Sequence, residues 1–168
     1  MKKILITTII CVLTIVASCS QTTERIFKKF TDEDFKTGDV ILCPDILFTL
    51  SGGCQIMPQS KDSVKIISDF IQKHPSFKIE ISSHTDNRGS KEANLLLSEH
   101  RAKTIVEYLT KELLLPDDNI LAKGYGSSQL LISDDIIKKA IIDNESKDAV
   151  EKLHQKNRRI EIKILKTL

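Results

Sequence analysis

Four stretches of the chain carry the hydrophobic pattern of β-strands. "FKIEISS", residues 77–83, and "RRIEIKIL", residues 158–165, alternate apolar and polar side chains, which is typical of a strand with one buried face. "DVILCPDILF", from Asp39, is rich in apolar and β-branched residues, and "ILAKGYG", from Ile120, is a short apolar run that ends in glycines. Pro44 favours an edge position for the first strand or an irregularity early in it, because proline cannot donate to a sheet ladder.

Two longer segments carry the spacing of amphipathic helices. Between Pro58 and His74, apolar residues recur every three or four positions with lysines and acids between them, which predicts a helix. A polar turn at residues 84–90 precedes the second helix, and Ser90 stands where an N-cap is expected. The second helix is predicted to bury an apolar face made of Leu95, Ala102, Ile105, Val106 and Leu109.

The order of these elements predicts an α/β fold. Strand, helix, strand, helix and strand are followed by a charged excursion with a helical pattern, residues 128–156, and then by the last strand. Strands that alternate with long helices pack as helices on a sheet with crossover connections. The excursion is expected either to cover one edge of the sheet or to form a surface for a partner.

The first twenty residues, "MKKILITTIICVLTIVASCS", have the layout of an export signal. Two lysines precede an uncharged and mostly apolar run from Ile4 to Ala17, and small residues follow, as in a secretory signal peptide. An N-terminal anchor helix is the alternative, but the run is short for a membrane span, which needs about twenty residues. "VASC", residues 16–19, resembles a bacterial lipobox, which implies a cleaved signal over residues 1–18 and lipid on Cys19.

We therefore expect three parts: the signal peptide at 1–18, a lipidated N-terminus and linker at 19–38, and one folded domain at 39–168. Two of the 25 basic residues leave with the signal, and the 23 that remain balance the 23 acidic residues. A nucleic-acid-binding domain would carry a basic excess, so nucleic acid is not an expected partner.

Export also changes the cysteine count. Cys11 leaves with the signal and Cys19 carries lipid, so Cys43 and Cys54 remain as thiols of the domain. An oxidising periplasm would permit a disulfide between them, and the "SGG" before Cys54 would let the chain turn back. Two free buried thiols are the alternative, and the sequence does not decide between them.

A polar stripe leads from the turn at 84–90 along the second helix. Asn94, Ser98 and Arg101 recur at helical spacing, while Asp86 lies in the turn at the C-terminal end of a strand, where ligands bind in open α/β sheets. A carboxylate attracts an ammonium, and a guanidinium grips a carboxylate through two parallel hydrogen bonds. Asp86 and Arg101, held apart, would therefore suit an amino-acid zwitterion. The alternative is a salt bridge that ties the turn to the helix.

Separated blocks of the sequence resemble the OmpA-like peptidoglycan-binding domain. From His84 to Ala102, "HTDNRGSKEANLLLSEHRA" follows without a gap the family's order of His-Thr-Asp, Asn, Leu-Ser and Arg-Ala. "KNRRIEIKI" matches the family's Asn-Arg-Arg before its last strand, and "GDVILCPDILFTL" resembles its first strand. The resemblance covers about residues 38–165. It implies a βαβαβ-type sandwich with two main helices packed on one mixed parallel and antiparallel sheet.

The resemblance also implies a function, that of a lipoprotein of the peptidoglycan-associated type. Such a domain binds peptidoglycan non-covalently through the diaminopimelate of the stem peptide. By position, Asp86 pairs with the diaminopimelate ammonium and Arg101 with its carboxylate. Asn94 supports the site by hydrogen bonding, Thr85 borders it, and Arg158 lines the pocket. No cofactor is implied.

A few single residues bear on the location of the protein in the cell envelope and on the detail of the expected pocket. Ser20 after the lipidated cysteine favours the periplasmic face of the outer membrane, so the protein would tether that membrane to the cell wall. Ser83 stands where the family has glycine, and Phe48-Thr49 stands where it has Phe-Asp. Both departures adjoin the expected pocket and leave its detail open.

Two other classes of function compete with peptidoglycan binding. An enzyme is disfavoured, because no Gly-x-Ser-x-Gly elbow occurs and the four histidines lack metal-ligand spacing. We therefore predict neither catalytic residues nor a metal site, and we expect His84 to pack beneath the turn. The second alternative is an envelope protein-interaction module, in which the pair formed by Asp86 and Arg101 is structural.

Overall fold

The computed structural model describes residues 26–49 and 54–167. The signal peptide, Cys19 and the first part of the predicted linker lie outside the described residues, as does the "SGG" turn. In the part of the chain that is described, no helix is long and apolar enough to cross a membrane.

Within the described ranges, four strands form one mixed sheet, which carries four α-helices. In chain order the elements are β1 (Val40–Leu42), α1 (Lys61–Lys73), β2 (Lys78–His84), α2 (Lys91–Glu107), β3 (Ile120–Gly126), α3 (Asp134–Ile142), α4 (Lys147–Asn157) and β4 (Arg159–Lys166). The strand order is β1-β4-β2-β3, with β2 parallel to β3 and β4 antiparallel to both its neighbours. The predicted class, helices on one mixed sheet, is confirmed.

Element boundaries depart from the sequence pattern at the first strand. β1 ends at Leu42 and forms one edge of the sheet, so the predicted edge position is right and the predicted length is wrong. Pro44 follows, and a residue without an N–H cannot continue the ladder. A short 3-10 turn, Pro58–Ser60, leads into α1, and a π-helical turn, Tyr108–Glu112, extends α2.

The hydrophobic core includes residues that the sequence assigned to the linker. The core is rich in isoleucine, with Ile41, Ile67, Ile79, Ile81, Ile105, Ile162 and Ile164 all buried. Phe35 is also buried in it, and the Phe30 and Phe35 rings lie edge-on to Phe70 at centroid distances of 5.5 and 5.3 Å. The packed domain therefore begins before Asp39, and the predicted boundary is too late.

The face of α2 that meets the sheet is more polar than predicted. Its buried residues are Asn94, Ser98, Ala102 and Ile105, whereas Leu95 is 44% exposed. The cause is a close approach of the helix to β3, where a Cβ added at Gly124 would lie 2.8 Å from the Cα of Glu99. The Ser98 hydroxyl accepts a 2.8 Å hydrogen bond from the Gly126 N–H. Small side chains fit such a contact better than leucine does.

Candidate functional site

The turn after β2 is fixed by short polar side chains. Ser90 caps α2, with its Oγ accepting from the Ala93 N–H at 3.1 Å, as the sequence predicted. The Asn94 amide donates to the Arg88 carbonyl at 3.0 Å, and the buried Thr85 hydroxyl donates to the Asp86 carbonyl at 2.9 Å. Asn94 and Thr85 therefore fix the backbone conformation of the turn that contains Asp86.

Asp86 is buried, and arginines of its own chain cover its carboxylate. Its Oδ2 lies 2.7 Å from Arg88 Nη2 and 2.7 Å from Arg158 Nη1, and its Oδ1 accepts from the Arg88 N–H at 3.0 Å. Burial acts to raise the pKa of Asp86, but the hydrogen bonds from Arg88 and Arg158 outweigh it and lower the pKa to about 2. The ion pairs are thus complete above the ordinary carboxyl pKa and are lost only as pH falls through about 2.

Glu151 on α4 closes a ring of four charges. Its Oε2 lies 2.9 Å from Arg88 Nη1 and its Oε1 lies 2.8 Å from Arg158 Nη2. Beside this ring, the Asn87 amide donates to Asp134 Oδ1 of α3 at 2.6 Å. The excursion, whose role the sequence left open, therefore contacts the polar turn through both of its helices.

Arg101 lies apart from this ring. Among the residues described it forms no ion pair, so the alternative of a direct salt bridge to Asp86 is not found there. Its guanidinium carbon lies 5.2 Å from the centroid of the Phe48 ring, and its buried Nε has no hydrogen-bond partner. Burial lowers the pKa of Arg101, but a guanidinium stays charged in proteins. Within the described residues, Arg101 is thus a charged side chain without an ion pair, and its Nε lacks an acceptor.

A cavity of about 210 Å³ lies in front of Arg101. It is lined by residues 44–48 of the loop after β1 and by Ser83, Arg101, Gln155, Arg158, Arg159 and Ile160. Three guanidiniums border it, but Arg158 and Arg159 are already paired with acids of their own chain. Among the described residues, the Nε of Arg101 and the hydroxyl of the buried Ser83 are the donors at this cavity without a partner. Such donors beside a guanidinium suit a carboxylate. Asp86 is not part of the lining, because Arg88 and Arg158 cover it.

The loop after β1 carries the pair Phe48-Thr49, in which Thr49 departs from the family pattern. Phe48 supplies the ring that faces the Arg101 guanidinium. Thr49 holds the loop instead of facing a ligand: its Oγ1 accepts from the Gln55 N–H at 3.1 Å, and its own N–H donates to the Gln55 carbonyl at 2.9 Å. A carboxylate at position 49 is therefore not needed to fix this loop.

His84 packs beneath the turn, as expected. It is 1% exposed, its ring stacks on Tyr125 at a centroid distance of 5.1 Å, and its Nε2 lies 3.3 Å from Glu161 Oε2. Arg159 Nε donates to the other oxygen of Glu161 at 2.7 Å. Within the described ranges, no group of three or more histidine, cysteine or acidic residues could hold a metal ion.

The two cysteines of the domain are both free thiols in the structure. The disulfide considered from the sequence is therefore not formed there. Cys43 packs within the hydrophobic core, where burial raises the pKa of its thiol well above the usual range. Cys54 is partly exposed and has a positive φ of 51°.

Sequence reasoning missed Arg88 and Glu151. A signal for Arg88 was available, because an arginine two positions after an aspartate in a tight turn can reach back to its carboxylate. Glu151 gave no such signal, because it lies 63 residues from Arg88 and is one of many charged residues on a solvated helix.

Comparisons with known proteins identify the class of this domain. The chain belongs to the OmpA family, whose model matches residues 50–144. A peptidoglycan-associated lipoprotein of Legionella pneumophila is 43% identical over 47 residues, which cover 28% of this chain and 27% of the relative. Outer membrane porin F of Pseudomonas fluorescens is 35% identical over 74 residues, which cover 44% of this chain and 22% of the relative. The similarity thus spans about a quarter of each relative.

Solved structures share the fold. An outer membrane protein of Borrelia burgdorferi has a TM-score of 0.52 at 28% identity, covering 80% of this chain and 95% of that one. The periplasmic domain of Helicobacter pylori MotB has a TM-score of 0.55 at 18% identity, covering 77% of this chain and 75% of that one. The OmpA-like architecture expected from the sequence is therefore confirmed.

Proposed function

We propose that this domain binds peptidoglycan non-covalently, with the diaminopimelate of a stem peptide in the cavity beside Arg101. The observation that carries the proposal is Arg101 itself, a charged and partly buried side chain that borders a cavity and whose Nε has no acceptor among the described residues. Relatives support the ligand class: besides the Legionella lipoprotein, the peptidoglycan-binding protein ArfA of Mycobacterium tuberculosis is 28% identical over 110 residues, or 66% of this chain and 29% of the relative.

Each charged group has a distinct role in this proposal. Arg101 grips the diaminopimelate carboxylate through paired hydrogen bonds. Asp86 pairs with the ammonium, which must first displace one of the two guanidiniums that cover the carboxylate. Arg158 is suited to that exchange, because it contacts Asp86 and also lines the cavity. Asn94 and Thr85 keep the turn in place. Binding then exchanges one ion pair for another and involves no chemical step.

Two soluble stem peptides test the proposal. One carries meso-diaminopimelate, and the other carries lysine in its place and so lacks only the side-chain carboxylate. A charge-assisted hydrogen-bond pair contributes about 2 kcal/mol, so we expect about thirtyfold tighter binding of the diaminopimelate peptide by calorimetry. The same protein should sediment with purified sacculi. Failure to sediment would refute peptidoglycan binding. Equal affinity for both peptides would refute only the assignment of Arg101 to the diaminopimelate carboxylate.

We also infer that the protein is an outer-membrane lipoprotein on the periplasmic face. Residues 1–18 are the signal peptide, Cys19 carries the lipid, and a short linker joins it to the domain. Stable anchoring requires more than one acyl chain, and the lipobox cysteine carries several. The protein would thus tether the outer membrane to the cell wall.

Replacing the lipidated residue tests this anchoring. In cells, Cys19→Ala should either release the protein into the soluble fraction or leave the signal uncleaved, as fractionation and intact mass would show. Ser20→Ala serves as the control and should still be lipidated. A Cys19→Ala protein that is cleaved and retained in the membrane as before would contradict the lipobox interpretation.

One observation favours a second candidate, an envelope protein-interaction module. Asp86 already pairs with two arginines of its own chain, as a purely structural carboxylate would. In that case Asp86→Asn would lower the melting temperature and leave sedimentation with sacculi unchanged. Loss of sedimentation in a variant that remains folded would exclude this candidate.

A further inference from the structure

Ser83 places a hydroxyl group where the strand pattern calls for an apolar side chain. Ile79 and Ile81 of β2 point into the core, and Ser83 continues the same face of the strand because side chains alternate with a period of two. At Ser83 the core gives way to the cavity that Arg101 borders. A buried hydroxyl without a partner costs free energy, so its presence at this point calls for an explanation.

The backbone of Ser83 is part of the sheet, whereas its side chain has no partner among the described residues. Ser83 lies in a central strand, between Ile160 of β4 and Gly124 of β3. The residue is completely buried, yet its Oγ makes no hydrogen bond within the described parts of the chain. Ile160, its neighbour across the strand pair, also lines the cavity. Ser83 therefore belongs to the wall of that cavity.

The neighbouring serine shows that this is not a general property of the strand. Ser82 points to the opposite face of β2, and its hydroxyl donates to Glu80 at 2.8 Å. The same Glu80 oxygen accepts from the Tyr125 hydroxyl at 2.8 Å. The polar groups on that face are thus paired with one another, whereas Ser83, on the cavity face, is not.

A second unpaired donor borders the same cavity. The Nε of Arg101 is buried and has no hydrogen-bond partner in the part of the chain that the structure describes, like the Oγ of Ser83. A guanidinium nitrogen can only donate, and a hydroxyl can donate as well as accept. A carboxylate, with two oxygens and about four acceptor positions, satisfies two donors at once and brings no competing donor of its own.

We propose that Ser83 is a specificity-determining residue, whose hydroxyl donates to the same ligand carboxylate that Arg101 grips. The proposal rests on the proposed function and deepens it, because it adds a contact at a position where the family has glycine. A glycine would leave the carboxylate to the guanidinium alone. With Ser83 the cavity selects more strongly for a stem-peptide residue that carries a side-chain carboxylate, such as diaminopimelate, over one that ends in an amine only, such as lysine.

The two stem peptides, one with meso-diaminopimelate and one with lysine, test this proposal against Ser83→Ala. The variant should bind the diaminopimelate peptide about tenfold more weakly, as expected at the lower end for one hydrogen bond to a charged group. Its affinity for the lysine peptide should stay within about twofold of the parent, because that peptide has no carboxylate for the hydroxyl. Ser83→Gly should behave in the same way.

Ser82→Ala is the matched control, since it removes a buried serine hydroxyl from the adjacent position on the other face. It should lower the melting temperature, because Glu80 loses a donor, and keep the ratio of the two peptide affinities. Equal loss for both peptides in Ser83→Ala would mean that the side chain only shapes the cavity, and unchanged affinities would mean that it makes no contact; either result overturns the proposal. A parent protein that binds neither peptide nor sacculi would instead refute the proposed function itself.

Discussion

Arg101→Lys is expected to weaken binding of the diaminopimelate peptide about thirtyfold, almost as much as Arg101→Ala. Lysine keeps the charge but presents a single ammonium, which cannot form two parallel hydrogen bonds to a carboxylate. It also cannot keep the planar contact with Phe48, whose ring lies 5.2 Å from the guanidinium carbon. A loss of about 2 kcal/mol, at the lower end for an unpaired partner of a buried charge pair, corresponds to that factor.

Asp86→Asn is the corresponding substitution for the contact with the ligand's ammonium group. It should also weaken binding about thirtyfold, because an amide does not attract an ammonium as a carboxylate does. It should lower the stability of the domain as well, since Arg88 and Arg158 both lose an ionic partner. Substitution of Arg101, which forms no ion pair in the described residues, should lower affinity for the peptide without a comparable loss of stability. This contrast separates a ligand contact from a structural one.

Calorimetry with the two stem peptides, together with a thermal melt of each variant, measures both effects. Lys103→Ala is a suitable control, because this basic residue lies two positions beyond Arg101 on the exposed side of α2. It should bind as the parent does. Arg101→Lys and Arg101→Ala proteins that also bind as the parent does would place the ligand elsewhere. A loss of binding that appears only when the domain is unfolded would make Arg101 a structural residue.

The sequence predicts the elements of this fold well because their signals are local. The alternation in β2 and β4, the helical spacing in α1 and α2 and the cap at Ser90 each depend on residues within one element. The turn with Asp86 is likewise visible, because it follows a strand and precedes a capped helix. Local patterns therefore suffice to place the candidate site at the carboxyl end of β2.

The pairing of Asp86 could not be predicted in the same way. Arg158 lies 72 residues further along the chain, and Glu151 comes from a helix whose charged residues are mostly solvated. Which of these charges meet depends on how the excursion folds back over the turn. A carboxylate that the sequence presents as free to bind a ligand is thus already paired in the folded chain, and binding requires an exchange.

The inward face of α2 was misjudged for a different physical reason. Hydrophobicity alone placed Leu95 inside, yet the helix lies so near β3 that Asn94 and Ser98 face the sheet and Leu95 is partly exposed. The sequence signal for this close approach lies in another element, β3, whose glycines in "KGYG" leave room for the helix. Likewise, the polar surroundings of Phe30 and Phe35 concealed their place in the core. In both cases the packing partner, and not the local pattern, decides what is buried.

Gly124→Ala is expected to destabilise the domain by about 3 kcal/mol, the upper range for overpacking a tight contact. A Cβ at Gly124 would lie 2.8 Å from the Cα of Glu99 and 2.5 Å from the Oγ of Ser98. The Glu99 contact is with backbone, which cannot rotate away, so α2 must move off β3. Arg101 is part of α2 and would move with it. Binding of the diaminopimelate peptide should therefore weaken even at temperatures where the variant is folded.

Gly89→Ala separates this steric effect from the conformational cost of losing a glycine. Gly89 has a positive φ of 92° and nothing within 4 Å of an added Cβ, so alanine there should cost only about 1–2 kcal/mol through its backbone conformation. Urea unfolding of both variants gives the comparison. A Gly124→Ala protein no less stable than Gly89→Ala would show that the helix tolerates a larger separation from β3. In that event the close approach could not be what sets the position of Arg101, and its contact with the cavity would have to be fixed from the other side, by Phe48 and the loop after β1.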